Sequence, residues 1–336
     1  MKLPNLHDLQ HSAVNALLPL ETVAALIRSG APLALAGRPE ALAALPAGRW
    51  IGGTTAYFMT DEGGVVVDDA HVFVTDLSAL GEVTFASFGP DELSRISSEA
   101  PDNGFALAII PAQGECHSRF ALEAPFFPDT FLKPTVGWIA GYDLAKGGPA
   151  LVHDGSGQAH PDRAVVAFVT FADEGLAQPQ IVNPFRAGDG AVLHFADAGF
   201  AHRTCIVDGE LTDFAKYLRA HGLDKGELPL VGDHGGALIN VSIQRIGDDD
   251  TVHLYAPVFA GIDYRMAAPL DDYAATLAAG VAAQPTDGAC WSCNCILNFL
   301  FGKLEGKVVG GIAGPITFGE IAYQLVNQTH VTLRRI

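Results

Sequence analysis

Apolar positions in this chain fall into short runs, each bounded by Gly, Pro or Asp, and the runs alternate between two periods. A helical stretch at Leu20–Ser29 precedes an apolar strand, Pro32–Ala36, a helix at Pro39–Leu45 and a strand, Arg49–Ile51, that enters Gly52-Gly53-Thr54-Thr55. Strand, helix, strand is an α/β signature. Val65–Val67 and His71–Thr75 read as a strand pair around an Asp68-Asp69 turn, Pro90–Ser98 as a helix and Phe105–Ile110 as a continuously apolar strand. Pro111–Pro134 reads as long and irregular, Thr135–Gly141 as a strand into a glycine turn, and Arg163–Thr170 as a strand.

In the second half, Leu211, Phe214, Ala215 and Leu218 recur at i, i+3, i+4 and i+7, which predicts an amphipathic helix closed by Gly222. Strands follow at Ala237–Ile246 and Thr251–Val258. The Gly247-Asp248-Asp249-Asp250 link between them fits a solvated hairpin turn, because its spacing does not suit a calcium loop. Leu270–Val281 is helical, Gly288–Cys293 a strand, Asn294–Leu300 a short helix, and Lys307–Ile312 and His330–Arg335 are strands.

One segment echoes itself. Gly48-Arg49-Trp50-Ile51-Gly52-Gly53 aligns without a gap on Gly306-Lys307-Val308-Val309-Gly310-Gly311, and Val136–Gly141 is a third version. Glycine-rich strand ends are common enough for chance to produce this. The alternative is a shared βαβ unit, in which glycine lets a ligand or another backbone approach a strand end. The expected fold is therefore α/β, of the α+β kind. It has two pseudo-similar lobes, 1–195 and 196–336, with mixed sheets flanked by helices.

Composition narrows the function classes. The chain has 336 residues, 49% apolar and only 17% charged, enough to bury a large core. Its net charge of -18 and pI near 4.9 argue against a nucleic-acid groove or an anionic membrane surface, both of which need a basic footprint. Apolar runs such as Phe105–Pro111 are far shorter than the roughly 20 residues of a spanning helix. Met1–Asp8 lacks the apolar stretch of a secretory leader. Five cysteines, three of them at Cys290, Cys293 and Cys295, suit a cytoplasmic protein with reduced thiols better than a disulfide scaffold.

Several segments, taken in order, resemble the FIST family of sensory domains. Ile51–Thr55 resembles its Gly-Cys-Thr-Thr loop, and Val136–Gly141 its second glycine turn. Ile206-Val207-Asp208-Gly209 resembles the Asp-Gly element opening its C-terminal half, and Cys290–Cys295 its Ser-Cys element. Phe318-Gly319-Glu320-Ile321 and Asn327-Gln328-Thr329 resemble its closing signature. The arginine after the family's cysteine is missing, and Pro-Ala after Asp-Gly is replaced by Glu210-Leu211. The resemblance implies a small-ligand sensor. Such domains are often wired to kinases, chemoreceptors or cyclic-nucleotide enzymes, so output here would pass through a separate signalling protein. Some members of the family bind haem and sense nitric oxide.

The candidate chemistry follows from these segments. A ligand between the lobes would meet backbone at Gly52, Gly53, Thr54, Thr55, Gly137 and Gly141. It would meet polar side chains at Cys293, Glu320, Asn327 and the Asp263-Tyr264-Arg265 run. Arg suits a carboxylate and Asp an ammonium, so an amino acid or small acid is the expected ligand, although the same run would also serve as a surface salt bridge. Glu320 would equally serve as a helix N-terminal acid, and Asn327 as a turn residue. Cys290, Cys293 and Cys295 are three thiols, one short of a closed zinc site. They are otherwise buried packing, or a nucleophile for acyl transfer if a neighbour lowers a thiol pKa. No metal ligand set and no catalytic residue can be named from spacing. Haem remains open as a cofactor held by a single histidine, although none of the twelve histidines stands out as the ligand.

Overall fold

The computed structural model describes residues 15–336, so the Met1–Asp8 segment lies outside the described residues. The chain runs through the same sequence of elements three times. Repeat 1 comprises β1 (Asn15–Pro19), α1 (Leu20–Arg28), β2 (Leu33–Gly37), α2 (Pro39–Ala43) and β3 (Trp50–Thr54). A hairpin, β4 (Tyr57–Thr60) and β5 (Gly63–Val66), and a return strand, β6 (His71–Asp76), complete it. Repeat 2 has β7 (Gly81–Phe88), α3 (Arg95–Ser98), β8 (Gly104–Pro111), α4 (Glu115–Glu123) and β9 (Thr135–Ala140). Its hairpin is β10 (Val152–His153) and β11 (Ala159–His160), and its return strand β12 (Ala164–Phe171). Repeat 3 opens with β13 (Ala177–Val182) and is then interrupted.

The interruption, residues 183–272, is a small α+β insert. It holds β14 (Leu193–His194), β15 (Gly199–His202), β16 (Thr204–Val207), β17 (Glu210–Asp213), α5 (Phe214–Ala220), β18 (Leu230–Asp233) and β19 (Leu238–Val241). β20 (Ile243–Ile246), β21 (Val252–Val258) and β22 (Asp263–Met266) complete it, around a core that includes Phe195, Phe214, Leu218 and Tyr264. Repeat 3 resumes with α6 (Tyr273–Ala282), β23 (Ala289–Cys295), α7 (Ile296–Phe301) and β24 (Gly314–Thr317). The hairpin β25 (Glu320–Ala322) and β26 (Gln324–Val326), then β27 (His330–Arg335), end it.

Strand pairing locks the three repeats together. The main sheets run β1-β6-β2-β3-β10-β11, β7-β12-β8-β9-β25-β26 and β13-β27-β23-β24-β4-β5. Each has an edge strand, an antiparallel return strand and a parallel pair joined through a helix: β2 with β3, β8 with β9, β23 with β24. Each is completed by a hairpin from another repeat. The hairpin of repeat 1 pairs with β24, that of repeat 2 with β3, and that of repeat 3 with β9.

The inner faces of the three sheets share one core, with Ile51 from the first, Ile109 and Trp138 from the second, and Trp291 and Val331 from the third. Trp138 and Trp291 stack with ring centroids 6.3 Å apart. The outer faces are covered by α1 and α2, by α3 and α4, and by α6 and α7. Sheets buried on both faces read as continuous apolar runs rather than alternating ones, which is why Phe105–Ile110 was recognisable.

The mixed sheets and flanking helices agree with the α+β expectation. Several details differ. The sheets do not follow a division at residue 195, since three of them draw strands from both sides of it. β5 pairs with β4 and β6 with β1 and β2, so Asp68-Asp69 carries the chain between sheets instead of closing a hairpin. Pro111–Pro134 contains α4. Leu211 lies on β17 and is 77% exposed, and the helix starts at Phe214, where Asp213 accepts the Lys216 N–H at 2.9 Å. Ala237–Ile246 is split into β19 and β20, which join different sheets. Lys307–Ile312 is not a strand: Gly310 and Gly311 have φ of +88° and +76°, and the true counterpart of β3 is β24, a few residues on.

Gly137 marks how closely these strands approach. Its φ is +151°, and a Cβ there would lie 1.7 Å from the Ala108 carbonyl oxygen. Gly137→Ala should therefore lower unfolding stability by roughly 3 kcal/mol or more, read as a fall in the urea midpoint at unchanged slope. A loss below about 0.5 kcal/mol would contradict this account of the β8–β9 pair.

Candidate functional site

The sequence-predicted site residues divide into three places. Gly52, Gly53, Thr54 and Thr55 are buried at the end of β3, where their polar atoms join the repeats. The Thr54 hydroxyl donates to the Gly141 carbonyl at 2.6 Å, the Gly141 N–H donates back to the Thr54 carbonyl at 2.7 Å, and the Thr55 hydroxyl donates to the Ile316 carbonyl at 2.7 Å. Gly141 leaves room for Phe318, whose ring occupies the space a Cβ would take. Strand ends from all three repeats are thereby tied to one another.

Gly137, Cys293 and Glu320 meet beneath this junction. The Cys293 thiol donates to the Gly137 carbonyl at 3.5 Å, and Glu320 pairs with Trp138, the neighbour of Gly137 on β9. Glu320 is fully buried, and its Oε2 accepts the Thr329 N–H at 3.2 Å and the Thr329 hydroxyl at 2.6 Å. Burial pushes its carboxyl up to about 8, against the pull of Thr329 and the Cys295 thiol. Burial, aided by the Glu320 charge, lifts Cys293 and Cys295 well above the ordinary thiol range, and burial pushes Cys290 to about 12. The Cys290 thiol donates to the Leu333 carbonyl at 3.5 Å. These thiols are protonated packing groups, the opposite of an activated nucleophile.

Asn327 sits where the insert docks. Its Oδ1 accepts the Ser242 hydroxyl at 2.8 Å, and its carbonyl accepts Asn240 Nδ2 at 3.2 Å. Asn240 in turn forms a reciprocal amide pair with Asn183, both contacts at 2.9 Å. Asp263, Tyr264 and Arg265 lie apart from the rest, on β22 in the insert. Asp263 pairs with His194 at 2.9 Å, the buried Tyr264 hydroxyl accepts the Phe259 N–H at 2.9 Å, and Arg265 donates to the Gly190 carbonyl. The three side chains do not converge on one ligand.

An open cleft of about 290 Å³ lies at the carboxyl ends of β8, β9 and β24. Gln113, His117 and Tyr142 line it from repeat 2, and Leu297, Leu300 and Phe318 from repeat 3. Phe200, His253 and Tyr255 line it from the insert. Gln113 has φ +70° at the turn into α4, and its N–H donates to His117 Nδ1 at 3.3 Å. Its side-chain amide donates to the Tyr142 hydroxyl at 3.4 Å, and Tyr142 packs edge-on against Phe318 with centroids 4.9 Å apart. Burial pushes His117 down to about 4, so its imidazole is neutral at physiological pH.

None of the sequence-predicted residues lines this cleft, yet several adjoin it. Tyr142 follows Gly141, Phe318 precedes Glu320 by two positions, and α7 begins three positions after Cys293. His117 and Gln113 went unrecognised because they fall in the stretch read as irregular. Arg38 was missed too. It makes a buried ion pair with Asp143 at 2.7 Å, and the Tyr57 hydroxyl lies 3.4 Å from the same carboxylate, at the seam of repeats 1 and 2. A single Arg after a strand-end glycine carries no signal of its partner 105 positions away.

Among the described residues, no group of three or more His, Cys, Asp or Glu could hold a metal ion, and no helix is long and apolar enough to cross a membrane. Residues 18–335 match a family of unknown function, DUF6976, and the chain belongs to it. No curated protein matches the sequence.

The raised Glu320 carboxyl has a stability consequence. The folded state binds its proton more tightly than the unfolded chain does, so this contribution is complete below about pH 4.5 and is lost as pH rises to about 8. Wild type minus Glu320→Gln stability, from urea midpoints at pH 5, 7 and 9, should fall across that window by on the order of a few kcal/mol and then level off. A flat difference would show that Glu320 ionises freely.

Proposed function

We propose that this protein is a small-ligand-binding protein of sensory type, its ligand held in the cleft between repeats 2 and 3 beneath the insert. One observation carries the reading. The insert departs from the threefold pattern, and the cleft opens where it meets repeats 2 and 3. The seam of repeats 1 and 2 is instead filled by Arg38, Asp143 and Tyr57. Insertions in repeat proteins tend to collect on the binding face, and ligands of open α/β sheets sit outside strand carboxyl ends. The FIST resemblance points the same way, toward a sensor that passes its signal to a separate protein. Five free, buried cysteines suit the reducing cytoplasm proposed as its compartment.

Two other readings draw less support. Acyl transfer needs a thiolate, whereas burial favours the protonated form of these thiols. Haem in this cleft would need a larger chamber, since about 290 Å³ is at the lower end for small-molecule pockets.

The test is a thermal-shift screen of the full chain against amino acids, small acids, nucleotides, haem and uncharged aromatic compounds. It is run beside Leu300→Trp, which fills the cleft from a partly exposed position on α7. A ligand at about 100 times its dissociation constant should add roughly 2.7 kcal/mol to the wild type and nothing to the variant. Hits that stabilise both equally would place the site elsewhere.

A further inference from the structure

The chain carries 38 acidic and 20 basic residues, yet among the described residues no Asp, Glu, Lys or Arg lines the cleft. A charged ligand there would give up its hydration without meeting an opposite charge, a heavy loss. What the walls do offer is aromatic surface, from Phe200, Phe318 and Tyr142, together with neutral polar groups. Among the described residues, the titratable groups that share the cleft with His117 are His253, Tyr142 and Tyr255, with no carboxylate to draw a proton onto the imidazole.

His117 adds a direction. The Gln113 N–H occupies its Nδ1, which leaves the ring proton on Nε2. Among the described residues that Nε2 has no hydrogen-bond partner, it is buried, and the Phe200 ring packs against the imidazole with centroids 6.0 Å apart. A buried donor without an acceptor is a rarity that calls for an explanation.

Resting on the cleft reading above, we infer that the ligand is an uncharged planar molecule with a hydrogen-bond acceptor, a carbonyl or ring nitrogen, which pairs with His117 Nε2–H while its ring lies among Phe200, Phe318 and Tyr142. Phe200 belongs to the insert. It lines the cleft and packs against the His117 ring, so an occupant there touches the insert as well as repeats 2 and 3.

Three probes of similar shape test this: benzamide, benzoate and benzylamine, titrated into full-length protein labelled with ¹⁵N-histidine. The expected result is an Nε2–H tautomer for His117, benzamide binding at least tenfold tighter than the two ions, and an Nε2 resonance that moves on binding. His117→Phe should weaken benzamide at least tenfold, His117→Gln less, and Leu300→Trp should block it. Equal binding of an ion, an Nδ1–H tautomer, or unchanged affinity in His117→Phe, with Leu300→Trp still blocking, would overturn the ligand class and leave the cleft as the site. Failure of all three probes to bind wild type would overturn the ligand class, while the wider screen beside Leu300→Trp decides the cleft itself.

Discussion

The exchange of hairpins between repeats is the constraint on which the structure depends. Each main sheet takes its last two strands from another repeat, so its hydrogen-bond ladder cannot be completed by local chain alone. The backbone groups along β3, β9 and β24 would otherwise be buried without partners, at a cost no core of this size absorbs easily. The small residues near the shared core follow from this. Gly53, Gly137 and Gly141 each sit where a neighbouring strand or ring already fills the Cβ position.

The strand ends were legible in the sequence because glycine at those points is forced by contact. The repeats themselves were only half legible. The echo among Gly48–Gly53, Val136–Gly141 and Gly306–Gly311 pointed to repetition, and two of its three members fall on equivalent strands, β3 and β9. The third misled because two consecutive positive-φ glycines turn the chain where a strand was expected. Hairpin exchange left no trace in periodicity, since period reports which face a residue occupies and not which strand lies beside it. For the same reason the apolar run of β8 was clear while α4, whose outer face carries Glu115, Arg119 and Glu123, was read as loop.

Reading the candidate site from sequence selected residues for their chemical capability, and burial then assigned most of them another task. Cys293 and Glu320 are reactive types in ordinary solvent. Sealed beneath the strand junction they are held protonated, and they serve to satisfy the Gly137 carbonyl and Thr329. The cleft is lined from positions close by on the same chain segments, Tyr142 just after Gly141 and Phe318 just before Glu320, where the strands end and side chains regain access to a space. Sequence alone locates such an edge to within a few residues, because the transition from junction to cleft depends on the insert that covers it.

The interchange of hairpins also bears on ancestry and assembly. Three separate copies of one such repeat, about a common rotation axis, would satisfy the same ladders as a closed homotrimer, with every protomer donating two strands to its neighbour. In that arrangement each position is present three times, and anything added to one copy is added to all. Tandem fusion into a single polypeptide removes the obligation of symmetry, and only then can a lone elaboration of residues 183–272 distinguish one junction from its two counterparts.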